Sequence, residues 1–195
     1  MKIRIYTVAL LLLFPAMCLS QETSPAEKLR TSKEYLYTLS RFSEPQIYPA
    51  SNPNVEVYRI FVAPTFSHAL SIRVERDGSS YVLVAKYLSG QVGYDWGTLK
   101  GEKKRRLKQK EWQKLLDLIN QASFWTLPSE DKEPEPNEKG EEIICLDNTH
   151  WHLEGVSGGK YHFVERYCPE SQSFKAIGLY MVKLSKLGIK ESDLH

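Results

Sequence analysis

Between residues 69 and 76 the chain alternates apolar Leu70, Ile72 and Val74 with polar Ser71, Arg73 and Glu75. This is the period-two pattern of a strand with one face in the core and one in water. Asp77-Gly78 offers a tight turn and residues 81–88 (YVLVAKYL) run back, predicting a β-hairpin over about 69–88. Upstream, Val55, Val57 and residues 60–63 predict another strand, stopped at Pro64. The period then changes. Trp112, Leu115, Leu116, Ile119 and Ala122 form one stripe of a helix over about 108–123, which FWTLP (124–128) ends. Residues 143–146, 150–155 and 161–167 read as strands of a second antiparallel unit over about 143–168, with a Ser-Gly-Gly turn at 157–159. Phe174, Ile177, Met181, Leu184 and Leu187 mark a closing amphipathic helix over about 174–187. Strands and helices come in blocks rather than alternating, so the expected class is α+β with a mostly antiparallel sheet.

The ends of this pattern are less regular. Residues 21–54 are polar and hold Pro25, Pro45, Pro49 and Pro53. A short helix over about 26–39 is expected there, with Leu29, Leu36 and Leu39 for docking, followed by an extended linker, SEPQIYPASNPN. Residues 55–190 then form the single α+β domain. Lys2 and Arg4 precede an apolar run at 8–14, Pro15 breaks it, and Cys18 and Ser20 place small residues before Gln21. That layout predicts a signal peptide over 1–20 and a periplasmic or secreted protein. The run is too short to span a bilayer, and no second one follows, so no transmembrane segment is expected after leader cleavage. The alternative is a lipoprotein anchored through Cys18, against which Met17 is a poor fit at the position before the modified residue.

Export changes the reading of charge and cysteine. The 26 Lys+Arg against 24 Asp+Glu include two basic groups within 1–20 and no acid there. The remainder is neutral, and no nucleic-acid partner is implied. Cys145 and Cys168 are the cysteines left, an even pair that predicts a disulfide in an oxidising compartment. Two charge runs stand out. Residues 100–110 hold seven basic groups and one acid, and residues 128–142 hold seven acids and two Lys. Basic charge at the start of the 108–123 helix opposes its dipole. Helix stability does not explain that placement. Charge runs are usually solvated, so the expectation is two solvated loops, with neutralisation of Lys103, Lys104, Arg105 and Arg106 raising stability slightly. The alternative is a basic run that meets an anionic partner such as lipid headgroups or an acidic protein.

Candidate chemistry is sparse. GxSxG, HExxH, P-loop and dinucleotide fingerprints are absent, and no cofactor is expected. His150 and His152 share one face of a strand, with His162 on the next; a metal site would need three or four such ligands to converge. Register decides this. Cys145 opposite Cys168 puts Trp151 beside His162 and leaves His150 and His152 on the other face, whereas a one-residue shift pairs His152 with His162. Under the first register Asp147 faces Arg166, a possible bidentate pair.

The block DNTHWHLEGVSGGKYHFVERYCP (147–169) and the helix after it resemble a family of small exported bacterial proteins of unknown function. Their pattern is DGxxWxLEG, a turn, YHxVxRWxP and a Leu-rich helix. SIRV (71–74), GYDWG (93–97) and FWTLP are also similar, so the resemblance covers about 55–187. Asn148 stands in place of the family's Gly and Tyr167 in place of its Trp. The resemblance implies export and the fold, and no activity. Asp147, Trp151, Glu154, His162 and Arg166 are the candidate polar-aromatic binding surface. The expected function is that of a non-catalytic binding or structural protein of the cell envelope, with an envelope protein as partner. The alternatives are a periplasmic inhibitor or immunity-type protein, and a small metal-dependent hydrolase using His150, His152 and His162.

Overall fold

The computed structural model describes residues 24–49, 54–130, 149–169 and 171–194. Six strands, β1 (Glu56–Pro64), β2 (Leu70–Asp77), β3 (Ser80–Leu88), β4 (Leu99–Arg106), β5 (Thr149–Ser157) and β6 (Lys160–Tyr167), form one sheet in the order β4-β3-β2-β1-β5-β6. Every neighbouring pair is antiparallel. Helices α1 (Pro25–Thr31) and α2 (Lys33–Phe42) precede the sheet, α3 (Gln109–Gln121) follows β4, and α4 (Gln172–Ser185) follows β6. The class is α+β, as the blocks of strand and helix pattern predict.

Alternation along each strand sorts side chains to two faces. One face presents Ile60, Ile72, Leu83, Leu153 and Val164 to Trp112 and Leu115 of α3 and to Phe174, Ile177 and Met181 of α4, forming the main core. Gly178 lets α4 lie close on the sheet, since a Cβ there would overlap the Trp151 indole. The opposite face meets α2, where Tyr35, Leu39 and Phe42 pack on Phe61, Ala69 and Leu88. Both faces of the central strands are therefore covered, and Ser71, expected in water, is buried.

Three expectations are corrected. The expected 26–39 helix is two helices parted at Ser32, whose hydroxyl accepts from Tyr35 N at 3.1 Å and caps α2. The linker after it does not simply extend: Glu44 and Ile47 are buried against the sheet. The basic run is no loop; most of it is edge strand β4, in regular register with β3 from Arg106 to Gly101. Its cations also act at a different helix end than expected. Arg105 Nε donates to Leu184 O at 2.8 Å and Lys103 Nζ to Lys186 O at 2.7 Å. They thus serve the carbonyl-rich C-terminus of α4, where positive charge is favourable.

The β5–β6 hairpin is set by its turn. Gly158 and Gly159 both take positive φ, 56° and 75°, as a two-residue turn of this kind requires. Ser157 then faces Lys160, and Trp151 faces Arg166. Neither register considered from the sequence occurs: Trp151 is not opposite His162, and His152 faces Glu165 rather than His162.

Candidate functional site

Arg59 is the one charged residue amid the apolar stretch of β1, and it is fully buried. A buried guanidinium must be paired and hydrogen-bonded to be tolerated. Its Nε donates to Glu154 Oε1 at 2.8 Å, Nη1 to Pro45 O at 2.6 Å and to Glu44 Oε2 at 3.3 Å, and Nη2 to the Tyr35 hydroxyl at 3.0 Å. Glu154 Oε2 accepts from the hydroxyls of both Tyr35 and Tyr161, each at 2.9 Å. The network continues towards β3. Arg73 Nε donates to Glu44 Oε2 at 2.8 Å and pairs with Glu75, while Lys86 Nζ lies 2.8 Å from Glu44 Oε1 and donates to Ser43 O at 2.8 Å.

One carboxylate, Glu44, therefore sits among three cations. Burial alone would raise its pKa, but Lys86, Arg73 and Arg59 together hold it below the usual carboxylate range. Burial and the nearby Glu154 charge push the Tyr35 and Tyr161 hydroxyls well above the ordinary phenol value, so both remain donors. Every partner that Glu154 accepts from is fixed by this arrangement, which ties α2 and the 43–49 segment to the sheet.

Beside the network lies a cleft of about 880 Å³. It is lined by Lys28, Lys33, Glu34, Tyr35, Tyr37 and Thr38 of α1–α2, by Phe61, Ala63, His150 and His152 of the sheet, by Trp96, which meets Tyr37 edge-on, and by Glu130, Glu165 and Tyr167. His152 is nearly buried among Tyr35, Phe61 and Phe163, and its Nδ1 lies 2.8 Å from Glu165 Oε1. Its Nε2 has no hydrogen-bond partner and lies 3.9 Å from Glu154 Oε1. His150 stacks on Tyr167 with ring centroids 4.5 Å apart. Burial pushes its pKa down to about 4, against the pull of Glu165. Glu165 itself lies below the usual range: burial would raise it, and the His152 hydrogen bond together with the His152 and His150 charges outweighs that.

The residues expected to form one binding surface are divided by strand parity. Trp151, His162 and Arg166 lie on the α3–α4 face: Trp151 is buried against Phe174, His162 Nε2 is 3.0 Å from Leu127 O, and Arg166 Nη2 donates to Pro128 O at 2.9 Å. Glu154 lies on the opposite face, in the network. Asp147, Cys145 and Cys18 lie outside the described residues. His150 and His152 share the cleft while His162 is across the sheet, so the three histidines do not converge. Among the described residues no group of three or more metal-ligating side chains is placed to hold an ion. Missing from the sequence-derived set are Tyr35, Glu44, Arg59, Tyr161 and Glu165. Only Arg59 had a local signal, a cation within an apolar strand. Among the described residues no helix is long and apolar enough to cross a membrane. No protein-family model, curated protein or solved structure matches the chain.

Proposed function

We propose that the protein is an exported, non-catalytic binding domain of the cell envelope, and that the α1–α2 cleft receives part of an envelope protein. The observation that carries this reading is the composition of the cleft: Phe61, Trp96, Tyr37 and Tyr167 surround an 880 Å³ concavity. The buried carboxylate and guanidinium beside it, Glu154 and Arg59, are committed to each other and to two tyrosines. Concave space that combines aromatic side chains with placed polar groups is the usual form of a binding site. Aromatic side chains also supply most anchoring contacts in protein recognition. An inhibitor or immunity-type role is the same reading with a toxin or hydrolase as occupant. The signal peptide, and kinship with the small exported bacterial proteins sharing the DGxxWxLEG-like pattern, belong to this proposal. So does the Cys145–Cys168 bond, which the even pair of cysteines in an exported chain supports.

The test places a photo-crosslinking residue at Tyr37, on the exposed rim, and incubates the protein with envelope extract. A single crosslinked protein is expected, and it should be lost when Thr38→Trp fills the cleft from α2. The same crosslink with Thr38→Trp, or chemical conversion of the captured molecule, would overturn the reading.

A further inference from the structure

The two edges of the sheet are treated differently. At β6, Glu165 N donates to Ser129 O at 2.7 Å, and Arg166 and His162 reach the carbonyls of Pro128 and Leu127, so 127–129 runs along that edge. At β4 the sole sheet neighbour is β3, and among the described residues no backbone hydrogen bond reaches the outer side of residues 99–106. Leu107 N donates to Tyr81 O, and the register is regular from Arg106 to Gly101. Backbone direction alternates along a strand. The N–H groups of Lys103 and Arg105 therefore point to β3, and those of Lys104 and Arg106 point outward.

The side chains follow the same division. Lys103 and Arg105 are engaged by α4 on one face. Lys100, Lys104 and Arg106 are exposed and have no carboxylate partner among the described residues. Lysines on an open edge deter pairing with another copy of the same strand, because cations would then stand opposite cations. A strand of opposite sign meets no such barrier.

We propose that the outer edge of β4 is a docking site for an acidic, extended peptide segment of a partner protein, which pairs with β4 as a seventh strand. Main-chain bonds to the outward groups of Lys104 and Arg106 give attachment, and the unpaired cations select acidic side chains. No β4 residue lines the cleft, so failure of this proposal leaves the cleft reading untouched.

The probe is a fluorescein-labelled eight-residue peptide alternating Glu with Val or Thr, titrated into the full chain at low salt, beside a Lys-for-Glu counterpart. Saturable binding of the acidic peptide is expected. The double variant K104E/R106E should weaken it by about tenfold or more and gain the basic peptide. Amide exchange at Lys104 and Arg106 should slow on adding the acidic peptide. Lys104→Pro, which removes an outward donor without touching the β3 ladder, should abolish binding. Absence of saturable binding, unchanged affinity in K104E/R106E, or no protection of the two amides would overturn the proposal, and the exchange measurement decides even if Lys104→Pro does not fold.

Discussion

Glu44 illustrates how much one side chain can hold. It pairs with Arg59, Arg73 and Lys86 at once, and removing its charge leaves a buried guanidinium with one fewer partner. Glu44→Gln is expected to cost about 3 kcal/mol in urea denaturation. Its folded pKa is depressed, so its contribution is complete above the unfolded value of about 4.3 and is lost as pH falls through the folded value. Wild type should thus lose more stability than Glu44→Gln between pH 5 and pH 3; equal losses would show that Glu44 is not the acid-sensitive group. His150 works with the opposite charge. Its folded state refuses a proton that the unfolded chain accepts below about 6.5, so stability should fall as pH drops from there towards 4. An NMR titration should find the His150 ring neutral until pH nears 4; a midpoint at 6 or above would contradict the packing described.

Elements with an apolar stripe were legible in the chain, and those without one were not. The Trp112–Leu115–Ile119 spacing located α3, and the 70–74 alternation located β2, because burial of one face imposes a period. β4 has no such imprint: after Leu99 it is written in Lys, Arg, Glu and Gly, as an edge strand backed by polar contacts can be. Its fit becomes visible only where Arg105 meets Leu184 O and Glu111, at 2.8 and 2.6 Å. Arg105→Ala is therefore expected to lower stability by about 1–2 kcal/mol, reversing the gain that a solvated loop would imply. A thermal melt at or above wild type would restore the loop view. The polar partners of β2 were misread for a related reason. Alternation tells that two faces differ; it does not tell whether the polar face meets water or a buried carboxylate such as Glu44.

At the scale of the molecule, the N-terminal helices complete a third layer, and the sheet has no solvent-facing side along β1. A chain beginning at Asn54 would expose Phe61 and leave Arg59 without Tyr35, Glu44 and Pro45. Its urea transition should lose cooperativity, whereas Phe42→Ala in the full chain should keep a cooperative transition at a cost of about 3–4 kcal/mol. The site was legible only in fragments, because Tyr35, Glu44, Arg59 and Glu154 meet from four separate parts of the chain. No spacing rule links them. The segment 127–129 along β6 has a consequence of its own. With Glu165 N, an outward donor of β6, already taken by Ser129 O, a strand added at β4 is expected to terminate growth rather than seed more. Such a molecule is a chain stopper, unable to propagate into a fibre by edge pairing, and sedimentation at high concentration should show no ladder of ever-larger species.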